Sequence, residues 1–455
     1  MTPSGTRPLS RGGAFVAGAD DAHALAYNPA GLAAAPDGLR LDFVWPLYAT
    51  RFERTLTPEG STDSITFPSV EGAPFGLPSP TLAGVYDFGW LPGLKLGLGL
   101  MTQVPALQRW PRTVDGADDG PTDAPQRYSV LSFEGSGISN LTLGAGYPAL
   151  PWLHVGASFH LYVGQFGAEV AVSGCDGVVC TQPENWEYDA LVGVAAGPIL
   201  APGVGLGIRA FLPLGLRLGL AWESGYTLRS PAKVAVALPA NEVFDGVTVS
   251  PEEPTGVVHL RLPMNLRVGV EGTWREETIR AELAFVWEPW SVHDVIALSP
   301  RDAAVAGLPV FGDYGVAEVE LPRGFVDTWS LRLGGEALLW EGGHDLGHLT
   351  VRAGFSYEPS AVPSAYLSPM TVDLDTITGS LGASVTVGTG AGKVAFDLAY
   401  AYAHMVGVQV GDSEVRQLSL LRPPFSGATV IGNGRYDGRA HLFGLSATWA
   451  WGDGS

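Results

Sequence analysis

From residue 39 to the end of the chain, apolar side chains fall on every second position. Leu39, Leu41, Phe43 and Trp45 alternate with Arg40, Asp42 and Val44, and Leu94, Leu96, Leu98 and Leu100 alternate with Lys95, Gly97 and Gly99. Leu216, Leu218, Leu220 and Trp222 alternate with Arg217, Gly219, Ala221 and Glu223. Leu349, Val351, Ala353, Phe355 and Tyr357 alternate with Thr350, Arg352, Gly354 and Ser356. A period of two marks a β-strand whose two faces meet different surroundings. Here one face is greasy and the other is small or charged.

The pattern predicts fourteen strands, over 39–53, 78–91, 93–105, 128–148, 152–172, 186–199, 214–236, 257–274, 278–298, 325–340, 348–360, 376–388, 392–410 and 438–451. Tight connections fall at Leu91-Pro92, Ala149 to Pro151, Arg275 to Glu277, Glu341 to Gly347 and Thr389 to Ala391. Long ones, rich in Pro, Gly, Asp or Ser, cover 54–77, 106–127, 173–185, 237–256, 299–324, 361–375 and 411–437. Short turns on one side and long loops on the other are the habit of an outer-membrane barrel. Residues 200–213 depart from it, since a short turn is due there and a long apolar stretch stands in its place.

Composition decides what the greasy face meets. The chain of 455 residues is 46% hydrophobic and only 16% charged, whereas a soluble domain usually carries about a quarter charged residues. A soluble β-sandwich also alternates, but it covers its outer face with charge. A spanning helix needs about 20 apolar residues, and only Ala190 to Ile208 comes close. Gly193, Gly197, Pro198, Pro202, Gly203, Gly205 and Gly207 punctuate that stretch as strand, turn and strand. The reading that remains is an all-β, membrane-spanning antiparallel β-barrel with its apolar face in lipid, closed so that every backbone group is paired. An even strand count supports closure.

The formal charge is −20 and lysine is confined to Lys95, Lys233 and Lys393, which argues against a nucleic-acid partner and for acidic external loops. Met1-Thr2-Pro3-Ser4-Gly5 opens without an apolar core segment, so no signal peptide is visible. Cys175 and Cys180 share one loop and are close enough to pair, which would suit an oxidising compartment; the alternative is two free thiols.

The first forty residues do not alternate. They hold Arg11-Gly12-Gly13-Ala14-Phe15-Val16-Ala17-Gly18-Ala19-Asp20-Asp21-Ala22 and then Tyr27-Asn28-Pro29-Ala30-Gly31-Leu32-Ala33. Asp20 or Asp21 can cap a short helix through Tyr27, and Asn28-Pro29 ends it. This segment resembles the N-terminal hatch of the FadL/TodX transporters. Leu349 to Tyr357, Val362-Pro363, Phe396 to Tyr402 and the closing Gly438 to Leu445 are similar to the late strands of that family. Two departures stand out: Trp451 is followed by Gly452-Asp453-Gly454-Ser455 where the family ends on an aromatic, and the loop 106–127 is short where the family carries helices.

The resemblance implies a hatch over 1–38 inside a barrel over 39–455, with Asn28, Pro29 and Ala30 as the turn that holds it. It implies a monomer in the bacterial outer membrane, in contact with lipid and lipopolysaccharide. Its ligand would be hydrophobic, a fatty acid, a hydrocarbon or another lipid, diffusing passively to a pocket above the hatch and out sideways through the wall. Gly97 and Gly99 would permit a kink for that exit, or would merely suit a crowded lumen face. The runner-up is a general porin with an open aqueous lumen, which has no need of the first forty residues.

No catalytic motif survives its context, and no cofactor is implied. Gly388 to Lys393 lacks the first Gly and the Ser/Thr of a phosphate loop and leads into a strand. His344 and His348 stand four apart in a Gly-rich turn without a third metal ligand nearby. The inward faces carry Arg40, Asp42, Lys95, Arg217, Glu223, Arg267, Glu271, Arg280, Glu282, Arg332, Arg352 and Asp397. These read as paired charges that hold the plug; the alternative is that one or two of the arginines meet the carboxylate of an acidic lipid. On the closing strand, Phe443, Leu445 and Trp449 should face lipid.

Overall fold

The alternation closes into a barrel. A computed structural model describes residues 5–451 except 58–61, 75–77, 103–107, 114–122, 125, 127–130, 134, 176–179, 181–184, 240, 309–311, 317, 343–346 and 420–425. Fourteen antiparallel strands form the wall. They are β1 (Gly38–Leu56), β2 (Ser79–Asp87, with an upper piece Val70–Pro74), β3 (Lys95–Thr102, upper piece Gln108–Arg109), β4 (Gly137–Leu150), β5 (Leu153–Ser173) and β6 (Asp189–Leu212). Next come four strands in two pieces: β7 (Leu216–Glu223 and Tyr226–Ala237), β8 (Thr255–Leu262 and Asn265–Trp274), β9 (Ile279–Glu288 and Val295–Arg301) and β10 (Val319–Pro322 and Thr328–Glu341). β11 (His348–Glu358), β12 (Thr376–Thr389), β13 (Gly392–Val410) and β14 (Gly434–Ala450) complete the set. β14 pairs with β1 from Ala450 opposite Gly38 to Gly434 opposite Arg54, so the sheet has no edge to leave unpaired in lipid.

The stretch 200–213 is not a turn, contrary to the sequence expectation. β6 runs through it, and Pro213–Gly215 makes the short connection to β7. Leu200, Val204, Leu206 and Ile208 point outward, while Ala201, Gly203, Gly205, Gly207 and Arg209 are buried on the lumen side. The glycines there are lumen-facing positions of a strand. A Cβ on Gly207 would collide with Asn28 Oδ1. Three long connections also form small sheets: Thr248–Ser250 pairs with Ala304–Leu308, which pairs with Gly312–Gly315, and Arg416–Leu418 pairs with Ser426–Val430.

The outer face is apolar, with Phe443, Leu445 and Trp449 at 45%, 53% and 45% exposure. Trp90, Trp152, Trp274 and Trp340 are exposed beside the short turns, as in an aromatic girdle at a membrane interface.

Residues 5–37 lie inside the lumen. They form two short helices, α1 (Thr6–Ser10) and α2 (Ala24–Tyr27), and a 3-10 turn over Pro29–Ala34. Lumen-facing glycines of several strands touch this segment: Cβ atoms on Gly219 and Gly269 would meet Ala17, and one on Gly354 would meet Gly12. Asp20 or Asp21 was expected to cap a short helix; Asp21 accepts the His23 N–H through Oδ1 at 2.8 Å just before α2, which begins at Ala24. The two carboxylates also face arginines: Asp20 meets Arg7 at 2.7 Å and Arg280 at 2.6 Å, and Asp21 meets Arg7 at 3.1 Å.

A network of buried ion pairs ties segment to wall. Arg7 reaches Glu336 at 2.8 Å, and Arg11 reaches Glu271 at 2.9 Å. Arg40 bridges Asp42 and Asp397, both at 2.9 Å, and Arg352 bridges Glu336 at 3.0 Å and Asp397 at 2.8 Å. Glu282 of β9 accepts the backbone N–H groups of Val16, Ala17 and Gly18 at 2.6, 3.0 and 2.9 Å. Four more of the inward charges singled out from the sequence are paired: Arg217 with Glu271 at 3.2 Å, Arg267 with Glu223 at 3.2 Å, Arg332 with Glu358 at 3.4 Å and Lys95 with Asp37 at 3.1 Å; Arg209 instead donates through Nε to the Ala17 carbonyl at 2.8 Å.

Two expectations follow from this arrangement. Leu445→Arg puts a charge on the lipid face and should cost about 2–4 kcal/mol near the bilayer midplane, read by denaturant titration of the protein folded in vesicles. Glu282→Ala leaves three backbone donors and Arg11 short of a carboxylate, and a hydrogen bond to a charged group is worth about 1.5–3 kcal/mol. Hydrogen exchange at Val16, Ala17 and Gly18 should therefore speed up by about tenfold or more, with the strand amides of β12 and β13 unchanged.

Candidate functional site

Asn28 links the lumen segment to the wall through its amide. Its Oδ1 accepts the Ala30 N–H at 3.2 Å, and its Nδ2 donates to the carbonyls of Val16 at 3.0 Å and Ile208 at 3.1 Å. Pro29 starts the 3-10 turn with its φ already constrained and no N–H left unpaired. Asn28, Pro29 and Ala30 are all buried, and Pro29 and Ala30 sit against Gly156 of β5.

Gly97 and Gly99, the candidates for a kink, do not bend their strand. β3 pairs in unbroken register with β2 and with β4 across both positions. A Cβ at Gly97 would come within 3.1 Å of Leu25 and Leu32, and one at Gly99 within 3.0 Å of Leu25. Their missing side chains make room for the lumen segment. Cys175 and Cys180 are joined by a disulfide beyond the upper end of β5. His344 lies outside the described residues, and His348 Nδ1 lies 3.8 Å from Glu341. Among the described residues no group of three metal-ligating side chains gathers.

A cavity of about 580 Å³ occupies the barrel on the long-loop side of this segment, within the range of roughly 300–1,000 Å³ typical of small-molecule pockets. Its wall is built from the upper pieces of the broken strands: Val192 and Val194 of β6, Leu228, Val234 and Val236 of β7, Val258, Leu260 and Leu262 of β8, and Ile296 and Leu298 of β9. Phe133, Phe166, Phe325 and Met370 add rings and a thioether, and Val305 and Tyr314 reach in from a loop sheet. The upper pieces put even-numbered side chains inward, whereas the lower pieces of β7 and β8 put odd-numbered ones inward, such as Arg217 and Glu271. This change of face divides a charged lower lumen from an apolar upper one.

Two polar groups stand out on the cavity wall. His293 is anchored through Nδ1 to the Arg261 carbonyl at 2.8 Å. Arg323 lies over the Phe325 ring with its guanidinium carbon 5.1 Å from the centroid. Its buried Nε has no hydrogen-bond partner, and among the described residues no carboxylate stands within 4.0 Å of it. The inward arginines singled out from the sequence are all engaged with carboxylates below, and the cavity's own cation was missed. Arg323 falls in a stretch that reads as loop, and only its neighbours Pro322, Gly324 and Phe325 hint at a break within a strand.

Residues 138–451 match the family described as outer membrane protein transport protein (OMPP1/FadL/TodX). Among solved structures, a Pseudomonas aeruginosa FadL homologue superposes with a TM-score of 0.75 at 15% identity, covering 99% of this chain and 98% of that one. The Pseudomonas putida toluene transporter TodX follows with a TM-score of 0.65 at 15% identity, covering 99% and 98%. The Ralstonia pickettii toluene transporter TbuX has a TM-score of 0.57 at 14% identity, covering 99% of each chain. At such identities the likeness speaks for the fold. No curated protein sequence matches significantly. With more than half of its length inside the family model, the chain belongs to the outer membrane transport proteins that include FadL and TodX.

Proposed function

We propose that the protein carries hydrophobic small molecules, long-chain fatty acids foremost, across the outer membrane of a bacterium by passive diffusion. The ligand leaves the lipopolysaccharide surface, settles in the apolar cavity, and departs sideways through the barrel wall because the segment 1–38 plugs the lumen below. Asn28, Pro29 and Ala30 hold that plug. The observation that carries the choice of ligand is Arg323: a guanidinium with no carboxylate within 4.0 Å among the described residues, on the wall of an otherwise greasy cavity, suits a molecule with a long apolar body and one anionic end. Aromatic hydrocarbons, which the names of two structural relatives mention, fit the same apolar walls without using that charge.

Removing the cation separates these ligands. A hydrogen bond to a charged group contributes about 1.5–3 kcal/mol, which is roughly ten- to a hundredfold in affinity. Arg323→Ala should weaken oleate binding to the purified protein by about that factor and leave toluene binding nearly unchanged, as read by isothermal titration. Equal loss for both, or for neither, would overturn the assignment of Arg323 to a carboxylate.

The plug has its own test in planar bilayers. The intact chain should conduct little, Asn28→Ala should add brief openings, and removal of residues 1–37 should leave a steady pore. An intact chain that conducts steadily from the outset would favour the open porin.

A further inference from the structure

Two adjacent strands of the wall are interrupted beside the cavity. β9 stops at Glu288 and resumes at Val295, with a 3-10 turn over Trp290–Val292 between, and β10 is interrupted between Pro322 and Thr328. The Arg323 N–H donates to the Asp294 carbonyl at 2.8 Å, so the two interruptions face each other. Residues outside a ladder are released from strict alternation between lipid and lumen. His293 from one interruption, and Arg323 and Phe325 from the other, all reach the cavity wall.

The His293 imidazole is held in one orientation and one tautomer. Its Nδ1 lies 2.8 Å from the Arg261 carbonyl, and a carbonyl oxygen can only accept, so Nδ1 carries a proton. The Trp290 ring stands at 87° to it with centroids 6.0 Å apart, and the Phe325 centroid is 5.0 Å away. Among the described residues the other ring nitrogen, Nε2, meets no hydrogen-bond partner. The Arg323 guanidinium rests on the same Phe325 ring, its carbon 5.1 Å from the centroid. A second positive charge beside an unpaired guanidinium on an apolar wall would be costly, so the imidazole is neutral and Nε2 is an acceptor. Two other polar side chains of the wall are turned to the backbone: Ser136 Oγ donates to the Gly167 carbonyl and Gln165 Nε2 to the Gly135 carbonyl, both at 2.9 Å.

One end of the cavity therefore presents a donor and an acceptor side by side. An ionised carboxylate satisfies the donor, Arg323, but it has no proton to offer Nε2. An alkyl chain alone leaves that lone pair unmet in apolar surroundings, which costs free energy. A hydroxyl on the chain removes the cost, since its O–H donates to Nε2 while the carboxylate accepts from Arg323. Because imidazole and guanidinium flank a single phenyl ring, the hydroxyl has to stand within a few carbons of the carboxylate.

We propose that His293 makes the cavity selective for hydroxylated acids, molecules with a long apolar body, a carboxylate, and a hydroxyl a few carbons from it. The proposal rests on the carboxylate reading of Arg323 given above and narrows the class of acid.

Two pairs of probes test it on the full chain in detergent, by isothermal titration. β-Hydroxymyristate should bind about three- to tenfold more tightly than myristate, the size of one net hydrogen bond. His293→Phe, which keeps a flat ring beside Trp290 and Phe325, should bring the two acids to the same affinity. Dodecanol against dodecyl methyl ether repeats the comparison without a carboxylate, and the alcohol should be preferred by a similar factor in the unmodified protein alone. Equal affinity for the two acids in the unmodified protein, or a preference that survives His293→Phe, would overturn the assignment. Equal weakening of both acids by His293→Phe would also overturn it, because the ring would then serve the carboxylate as a second cation. Should the variant fail to fold, judged by its heat-modifiable migration on gels, the two pairs on the unmodified protein carry the decision. If neither acid binds, the carboxylate reading of Arg323 fails by itself, and the alcohol and its ether still decide whether His293 reads a hydroxyl.

Discussion

Every backbone N–H and C=O that faces hydrocarbon must find a partner within the protein, and the rest of this structure depends on that requirement. It forces the sheet to close, β14 onto β1. Closure assigns alternate residues to lipid and lumen, and so releases half of each strand from any need to be apolar. The lumen face is then free to be glycine where a second layer of chain must fit, or charged where that layer must be held. Gly207, Gly219 and Gly354 on one side, and Glu271, Glu282 and Asp397 on the other, are two uses of the same freedom.

The charges of the lower lumen make a different bargain from the apolar outer face. Burying an ion pair sacrifices the hydration of both groups, and the loss is recovered only when each partner is well met. Here Arg280 touches Asp20, Glu271 and Glu336, and Glu336 in turn meets Arg7 and Arg352. Such sharing favours one arrangement of segment and wall over its near alternatives. It also gives meaning to Arg323, which stands on an apolar wall with no such company.

Much of this was legible in the residues. The strands β1, β11, β12 and β13 alternate cleanly and end where turn residues stand, while attention to Asn28-Pro29-Ala30 came from the likeness to a known hatch and not from periodicity. What the sequence hid has two physical causes. Glycine and proline carry the same letters whether they end a strand or line a crowded lumen, so 200–213 read as a turn when it was the lower part of β6. A change of face within a strand leaves two half-patterns that each look complete, so the breaks in β7 to β10, and with them the upper cavity and Arg323, merged into longer strands or loops.

These changes of face are also where the closure rule meets transport. β7 and β8 change at the same height, Ser224-Gly225 opposite Pro263-Met264, and their register continues unaltered on both sides. β6 changes higher up, at Gly197-Pro198, so β6 and β7 present opposite pleats between those two levels. Staggering the two changes leaves Ile199–Gly203 and Gly225–Ser230 unpaired with each other, and Pro202 brings no donor to that stretch. Closure in lipid therefore rests on the paired lengths of the wall above and below these changes of face.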